Sequence, residues 1–297
     1  MTAAPLAPAP VSATTIARPP RLRLRPSAVV GLVMIGSVVA LAAIVPLLPG
    51  FDPFTQDLSR ALQKPFADPA HLLGTDPLGR DLLSRISLAS SVTLGITLAI
   101  VVLNALIGTT IGILSGFFGG RLEAALSVLS NTVLAMPVVL LLIAICAVVS
   151  PSAALTIIVV GCTWWVGYAR VTRNIAAALR TQDFVVAPLT HGADRVWVLT
   201  RHIVPNVWPH TLIIAATDIA TIVLIESSLE YLGLGVQPPT PSWGAMIFDA
   251  QKYLATDPWL VILPGLTMFL AVAGVQFVSQ QFTAEARGTL LRKGGTR

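Results

Sequence analysis

The sequence predicts an all-α membrane protein with six transmembrane helices, and three observations carry the prediction. Hydrophobic residues make up 55% of the 297 residues and charged residues only 11%, against about 45–50% and about 25% in ordinary soluble domains; the mean hydropathy is +0.80. Long uncharged runs recur along the chain, most of them long enough to cross the roughly 30 Å hydrocarbon layer of a bilayer. The basic residues fall in alternate connections between those runs, as a multi-pass topology requires. The two cysteines, Cys146 and Cys162, sit inside apolar runs as small hydrophobes and imply neither a disulfide framework nor a metal site.

Taken in order, residues 1–27 are rich in Ala and Pro and then basic, and they read as a disordered cytoplasmic tail. Residues 28–48 form the first apolar run, about 31 Å long at 1.5 Å per residue, which exceeds a signal-peptide core and reads as a retained helix. A polar stretch over 51–85 follows, so that 28–87 forms one unit of helix and external loop. In Gly74-Thr75-Asp76-Pro77 the Asp is expected to cap an external helix with Pro at its first position. Leu78, Leu82, Leu83 and Ile86 would make its apolar stripe and lead it into the second span, 88–114. The third span is expected over 124–149, kinked at Met136-Pro137 because Pro lacks a backbone N–H and crowds the preceding turn. Ser150-Pro151-Ser152 is a tight external turn before the fourth span, 153–169. A charged segment from Arg170 to His210 separates it from the fifth span, 211–234, and a loop rich in Pro, Gly and Trp leads to the sixth, 258–282, with Asp257 as its cap and Pro258 at its start. Residues 283–297 are a second cytoplasmic tail. No internal repeat is visible.

Orientation follows from the cations. Arg18, Arg21, Arg23 and Arg25, then Arg121, then the five arginines of 170–210, then Arg287, Arg292, Lys293 and Arg297 lie on one side; Arg60, Lys64, Arg80, Arg85 and Lys252 lie on the other. The positive-inside rule puts the richer side, with both termini and the 170–210 segment, in the cytoplasm. The net charge of +5 is therefore topology rather than a nucleic-acid surface.

Several chemistries are excluded. A chain that hydrolyses ATP by itself needs a phosphate-cradling loop ending in Gly-Lys-Ser/Thr, and Lys64, Lys252 and Lys293 are followed by Pro, Tyr and Gly. A zinc protease needs two His four residues apart, a spacing absent among His71, His191, His202 and His210. This leaves a transport subunit driven by a partner, a self-contained secondary transporter or channel, or a structural membrane protein.

Two groups of residues remain. In Asp183 to Pro205, Asp183 is expected to cap a short helix that Gly192 ends in the left-handed conformation. Asp194 would cap a second helix with Val196, Leu199 and Ile203 on one side. Phe184, Val185 and Leu189 suit a groove on a soluble partner; a helix lying flat on the membrane is the competing reading. Asp218, Glu226 and Glu230 are the carboxylates within the expected spans. They stand at about 0°, 80° and 120° around one helix, so this face should meet the bundle interior, either bonded to neighbouring helices or lining a pathway, with Glu230 the better placed of the three for substrate.

The segment resembles the cytoplasmic coupling loop of ABC importer permeases, here spanning 180–206, through Ala187, Gly192, Ile203 and Pro205, although Val186 and Pro188 replace the usual Glu and second Ala. HLLGTDPLGRDLLSRI (71–86), TWWVGYARVTRN (163–174) and LGLGVQPPTPSWGAM (232–246) are similar to signatures of the dipeptide, oligopeptide and nickel importer permeases, while Ser279-Gln280 and Ala284-Glu285 depart from the usual tail. The resemblance covers about residues 26–282. It implies a type I ABC importer permease fold, with 88–282 as the five-helix transport domain, and import of dipeptides or oligopeptides. Coupling to an ATPase would rest on Asp183, Phe184, Ala187, Leu189, Gly192, Ile203 and Pro205. Asp76, Arg80, Asp81, Pro238 and Trp243 would contact an extracytoplasmic binding protein, unless those loops only brace their neighbours. The implied partners are a homologous second permease and two ATP-binding subunits that use ATP and Mg; this chain holds no cofactor or metal of its own. Nickel or another small solute is the alternative cargo, and a secondary transporter the alternative class.

Overall fold

The computed structural model describes residues 25–294, with side chains for 25–281. The described chain is helical with connecting loops, and its β contacts among the described residues are isolated bridges at Asp68–His71 and Thr75–Asp81. Helix α1 (Pro26–Ile44) starts on a proline, whose missing N–H would be unpaired at that position anyway, and closes in a 3-10 turn over Val45–Leu47. The first residues of the expected tail, 1–24, lie outside the described residues.

The loop that follows is braced by polar bonds. The Asp52 carboxylate accepts from the Phe54 and Thr55 N–H groups, both at 2.9 Å, and the buried Arg85 side chain donates to the Pro53 carbonyl at 3.2 Å. The bonds to Phe54 and Thr55, with the Thr55 hydroxyl, hold the Asp52 carboxyl below its ordinary range. Among the described residues the loop holds one helical piece, a 3-10 turn over Leu58–Arg60, and no helix that Asp76 caps. Helix α2 (Leu82–Phe118) begins in this loop, and its cap is Asp81, which accepts from Ser84 N–H at 2.8 Å. Asp76 instead closes a turn, accepting from the N–H groups of Leu78 and Arg80. Gly79, with a left-handed φ of 73°, allows the chain to turn there, so the capped turn sits one motif later than its Asp-Pro pair suggests.

Helix α3 (Gly120–Leu134) follows after Gly119, and α4 (Val138–Cys146) departs from it by 71°. Pro137 does more than kink the expected third span. It ends one helix and sits at the cap of the next in an extended conformation, as the loss of its N–H and its clash with the preceding turn dictate. The described residues therefore contain five helices long and apolar enough to cross a membrane, or six if this bent pair is one span.

Ser152 caps α5 (Ala153–Thr163) through Leu155 N–H, and α6 (Val166–Leu179) continues the same rod past the expected end at 169. A short helix α7 (Asp183–Thr190) and a single turn α8 (Arg195–Val198) lead through a π-helical turn, Leu199–Ile203, into α9 (Val204–Tyr231). Helix α10 (Trp243–Ala250) precedes α11 (Trp259–Gly294). The last helix starts one residue later than expected: the Asp257 carboxylate takes the Thr256 hydroxyl rather than capping it, and the helical backbone runs through most of the expected tail.

Two close helix crossings organise the bundle. Gly108, Gly112 and Gly116 lie four residues apart on α2 and let α6 approach so closely that a Cβ at Gly108 would stand 2.5 Å from that of Tyr168. Gly31 of α1 and Gly274 of α11 meet in the same way, a Cβ at Gly31 falling 2.6 Å from the Gly274 carbonyl oxygen. Apolar helices in lipid gain little from hydrophobic burial against one another, so backbone approach at small residues supplies the packing instead. Around these crossings the buried side chains gather in clusters, three of which follow one another along the bundle. Leu82, Ile86, Trp243 and Met246 fill one end, Ile96, Ile100, Leu142, Val160 and Ile222 the middle, and Ile113, Phe117, Ala176, Val185 and Ile203 the other end.

Candidate functional site

Helix α7 stands at the end of the bundle where α2 stops. Its cap position is Gln182, without a side-chain bond, and Asp183 lies in the first turn, so the expected cap is displaced by one residue. Asp183 there still favours the helix electrostatically. The other end is a Schellman turn. Gly192, at φ +87°, donates to the Leu189 carbonyl at 3.1 Å, and Ala193 donates to the Pro188 carbonyl at 2.9 Å. Pro188 fits within the helix at the loss of one backbone bond, to the Phe184 carbonyl. Asp194 caps α8 as expected, accepting from Val196 and Trp197 N–H.

The faces of α7 divide differently from the expectation. Val185 is fully buried and Leu189, half-buried, packs beside it in the cluster of Phe117, Ala176, Val198 and Ile203; these two side chains anchor the helix. Val196 is likewise exposed, away from the core that Ile203 and, in part, Leu199 join. The outward face carries Phe184 (44% exposed) and Trp197 (50% exposed), with the His202 ring 6.1 Å and 5.3 Å from them, and Val186 and Ala187 exposed alongside. Pro205 lies exposed in the first turn of α9. The result is an apolar, aromatic knob on an immobilised base.

At the opposite end, Asp76 is buried and bonded to Arg80 at 2.6 Å and to Arg85 at 3.4 Å, while Asp81 faces His71 at 3.1 Å. Trp243 is 0% exposed; its indole N–H donates to the Ser90 hydroxyl at 3.2 Å. The Trp243 and Asp76 side chains brace α10 and the loop against α2. Pro238 and Leu78 remain exposed at this end.

The intramembrane acids separate into two sites. Glu226 and Glu230 are both buried. The Thr97 hydroxyl donates to Glu226 at 3.1 Å, and Glu230 faces Glu226, the Ser242 hydroxyl and the Gly244 N–H. Asp218 is half-buried elsewhere, near Tyr168 and 3.4 Å from the indole nitrogen of Trp164. Together with Ser90, Thr93 and the Thr109–Thr211 pair, the glutamates make a polar seam along α2 and α9. Asn104 sits fully buried on α2, and neither of its side-chain polar atoms has a hydrogen-bond partner among the described residues. Sequence reasoning passed over Asn104 and Thr97. The available signal was their four-residue and seven-residue spacing with Gly108 and Asn104, which puts them on the face of α2 that carries the glycines.

Apolar spans folded round a polar seam, with an amphipathic helix clamped at one end, define a multi-pass helical membrane protein of the transport type. The chain belongs to the family of binding-protein-dependent transport system inner membrane components, whose sequence model matches residues 108–287. Residues 20–65 match the N-terminal TM domain of oligopeptide transport permease C. The chain is 31% identical to the dipeptide transport system permease protein DppC of Alkalihalophilus pseudofirmus, over 94% of this chain and 92% of that protein. It is 35% identical to the nickel transport system permease protein NikC of Escherichia coli K12, over 81% and 88% of the two chains. It is 34% identical to the oligopeptide transport system permease protein OppC of Bacillus subtilis, over 84% and 82%.

Proposed function

We propose that this chain is a permease subunit of an ATP-driven importer of dipeptides or oligopeptides, inserted in a bacterial plasma membrane with both termini in the cytoplasm. The observation that carries the reading is the construction of α7. Its inner face is locked into the core by Val185 and Leu189, and its outer face presents Phe184, Val186 and Ala187 beside Trp197. A push on such a knob moves the end of the bundle instead of bending a loop. An ATP-binding subunit with an apolar groove would bury the knob and transmit its own closure to α2, α6 and α9. Reorientation of this bundle against a homologous second permease would then expose the pathway to one side and then the other. The binding protein would dock at the opposite end, on surfaces that include Pro238 and Leu78. Hydrolysis of ATP with Mg belongs to the ATP-binding partners.

Two of the three relatives named above carry peptide cargo in their names, which supports the peptide reading; the nickel permease supports the second reading, of another small solute. Purification through a tag on this chain tests the class. An ATP-binding subunit and a second permease are expected to copurify from native membranes. Recovery of this chain as a lone oligomer would contradict the reading. A reporter that is active only in the cytoplasm, fused after Arg297, is expected to be active, and activity of a periplasm-dependent reporter there would contradict the orientation.

A further inference from the structure

A cavity of about 270 Å³ opens between α2, α3 and α6 near the α7 end of the bundle, and neither the docking knob nor the polar seam uses it. Its polar lining includes Ser130, Asn131, Arg170, Arg173 and Asn174. Arg173 donates to Glu123 at 3.2 Å and to Asn174 at 3.2 Å. Arg170 donates to the neutral Asn131 amide oxygen at 3.3 Å and makes no ion pair among the described residues. Two guanidiniums thus face one carboxylate, and the cavity holds an excess of one positive charge. A guanidinium has five N–H groups in a planar fork suited to phosphate oxygens, and most of those on Arg170 remain available.

We propose that this cavity binds the phosphate of an anionic phospholipid headgroup, such as phosphatidylglycerol. A phosphodiester carries the single negative charge that the cavity lacks. The depth also fits. Helix α2, with 37 residues, is about 55 Å long, whereas a bilayer with its headgroups measures about 40–45 Å. Gly112 and Ser115, which line the cavity, lie three to six residues before the end of that helix at Phe118. At 1.5 Å per residue that is about 5–9 Å, the depth of a headgroup when the helix overhangs the bilayer evenly. Basic pockets between spans on the cytoplasmic side are where anionic headgroups are recognised. The leaflet assignment rests on the orientation proposed above; the binding measurement below does not depend on it.

The complex, purified through this chain, is reconstituted in phosphatidylcholine bilayers doped with phosphatidylglycerol, and retained lipid is read by native mass spectrometry. Wild type is expected to retain phosphatidylglycerol in preference to phosphatidylcholine. Arg170→Gln is expected to weaken that retention about fivefold, the effect of one cation near an anionic surface, and Arg170→Lys to preserve it. Arg121→Gln, on the same side but outside the cavity lining, is expected to weaken it clearly less than Arg170→Gln. Equal retention of the two lipids, or equal retention by wild type and Arg170→Gln, overturns the proposal. Complete displacement of the lipid by inorganic phosphate reassigns the site to free phosphate and overturns the lipid as occupant. If Arg170→Gln does not assemble, the lipid preference of the wild-type complex decides alone.

Discussion

Placing a methyl group at Gly112 tests the packing that holds α2 against α6. A Cβ there would overlap the Thr172 hydroxyl and stand 2.5 Å from the Ala169 carbonyl oxygen and 3.0 Å from its Cα. Two of these three neighbours are backbone, so no side-chain rotation relieves the clash. To restore an ordinary 3.4 Å contact from 2.5 Å, the helices must part by about 0.9 Å, a gap that forfeits a quarter to a half of each dispersion contact along the seam. Overpacking of this kind costs about 1–3 kcal/mol. Gly95, on the same helix, has nothing within 4 Å of the corresponding Cβ; alanine there is expected to stabilise by about 0.5–1 kcal/mol through helix propensity alone. Because the propensity gain is common to both substitutions, the difference between them isolates the packing term. Thermal unfolding in detergent, followed by tryptophan fluorescence, should rank Gly95→Ala at or above wild type and Gly112→Ala several degrees below it. Equal melting temperatures for the two variants would refute the close crossing.

Two further predictions concern the ends of the bundle. Trp243→Ala is expected to cost about 3–5 kcal/mol, as for a fully buried large side chain, and to lower basal and binding-protein-stimulated ATPase activity together; Trp243→Phe should cost less, losing the hydrogen bond to Ser90 and the volume of the smaller ring only. Selective loss of stimulation in Trp243→Ala would restore that residue as a docking contact. Phe184→Ala is expected to uncouple ATP hydrolysis from uptake with the complex still assembled, and Gly192→Val, which forces a β-branched residue to φ +87°, to do the same at a cost of about 1–2 kcal/mol in the turn. Pro188→Ala, which regains a helix bond, should be tolerated, and uptake assays with size-exclusion profiles of the complex distinguish these outcomes.

The long apolar helices and the break at Pro137 were legible because hydrophobic run length and proline act on short stretches of sequence. Asp194 and Gly192 were legible for the same reason, since caps and left-handed turns are local. The misplaced features depend on distant partners. Asp76 and Asp81 are both plausible caps by sequence, and the choice falls to Arg85, which reaches across to Pro53 and draws Asp76 into the loop. Burial of Trp243 was not legible in the Pro-rich stretch before it, because Ser90 on α2, distant in sequence, supplies the hydrogen bond that lets the indole be buried. Val185 and Phe184 could not be sorted by pattern in a helix of eight residues; the neighbouring helices sort them. The Gly-x-x-x-Gly-x-x-x-Gly run of α2 was present in the sequence, and its meaning follows from how apolar helices associate without a hydrophobic driving force.

The central claim is that the α7 knob couples this chain to an ATP-binding partner during peptide import. Uptake of a labelled dipeptide into proteoliposomes holding the complex tests it most directly. The account predicts uptake only when ATP, the ATP-binding subunits and the binding protein are all present, and its loss in Phe184→Ala while ATP is still hydrolysed. Uptake by this chain without an ATPase, driven by an ion gradient, would contradict it.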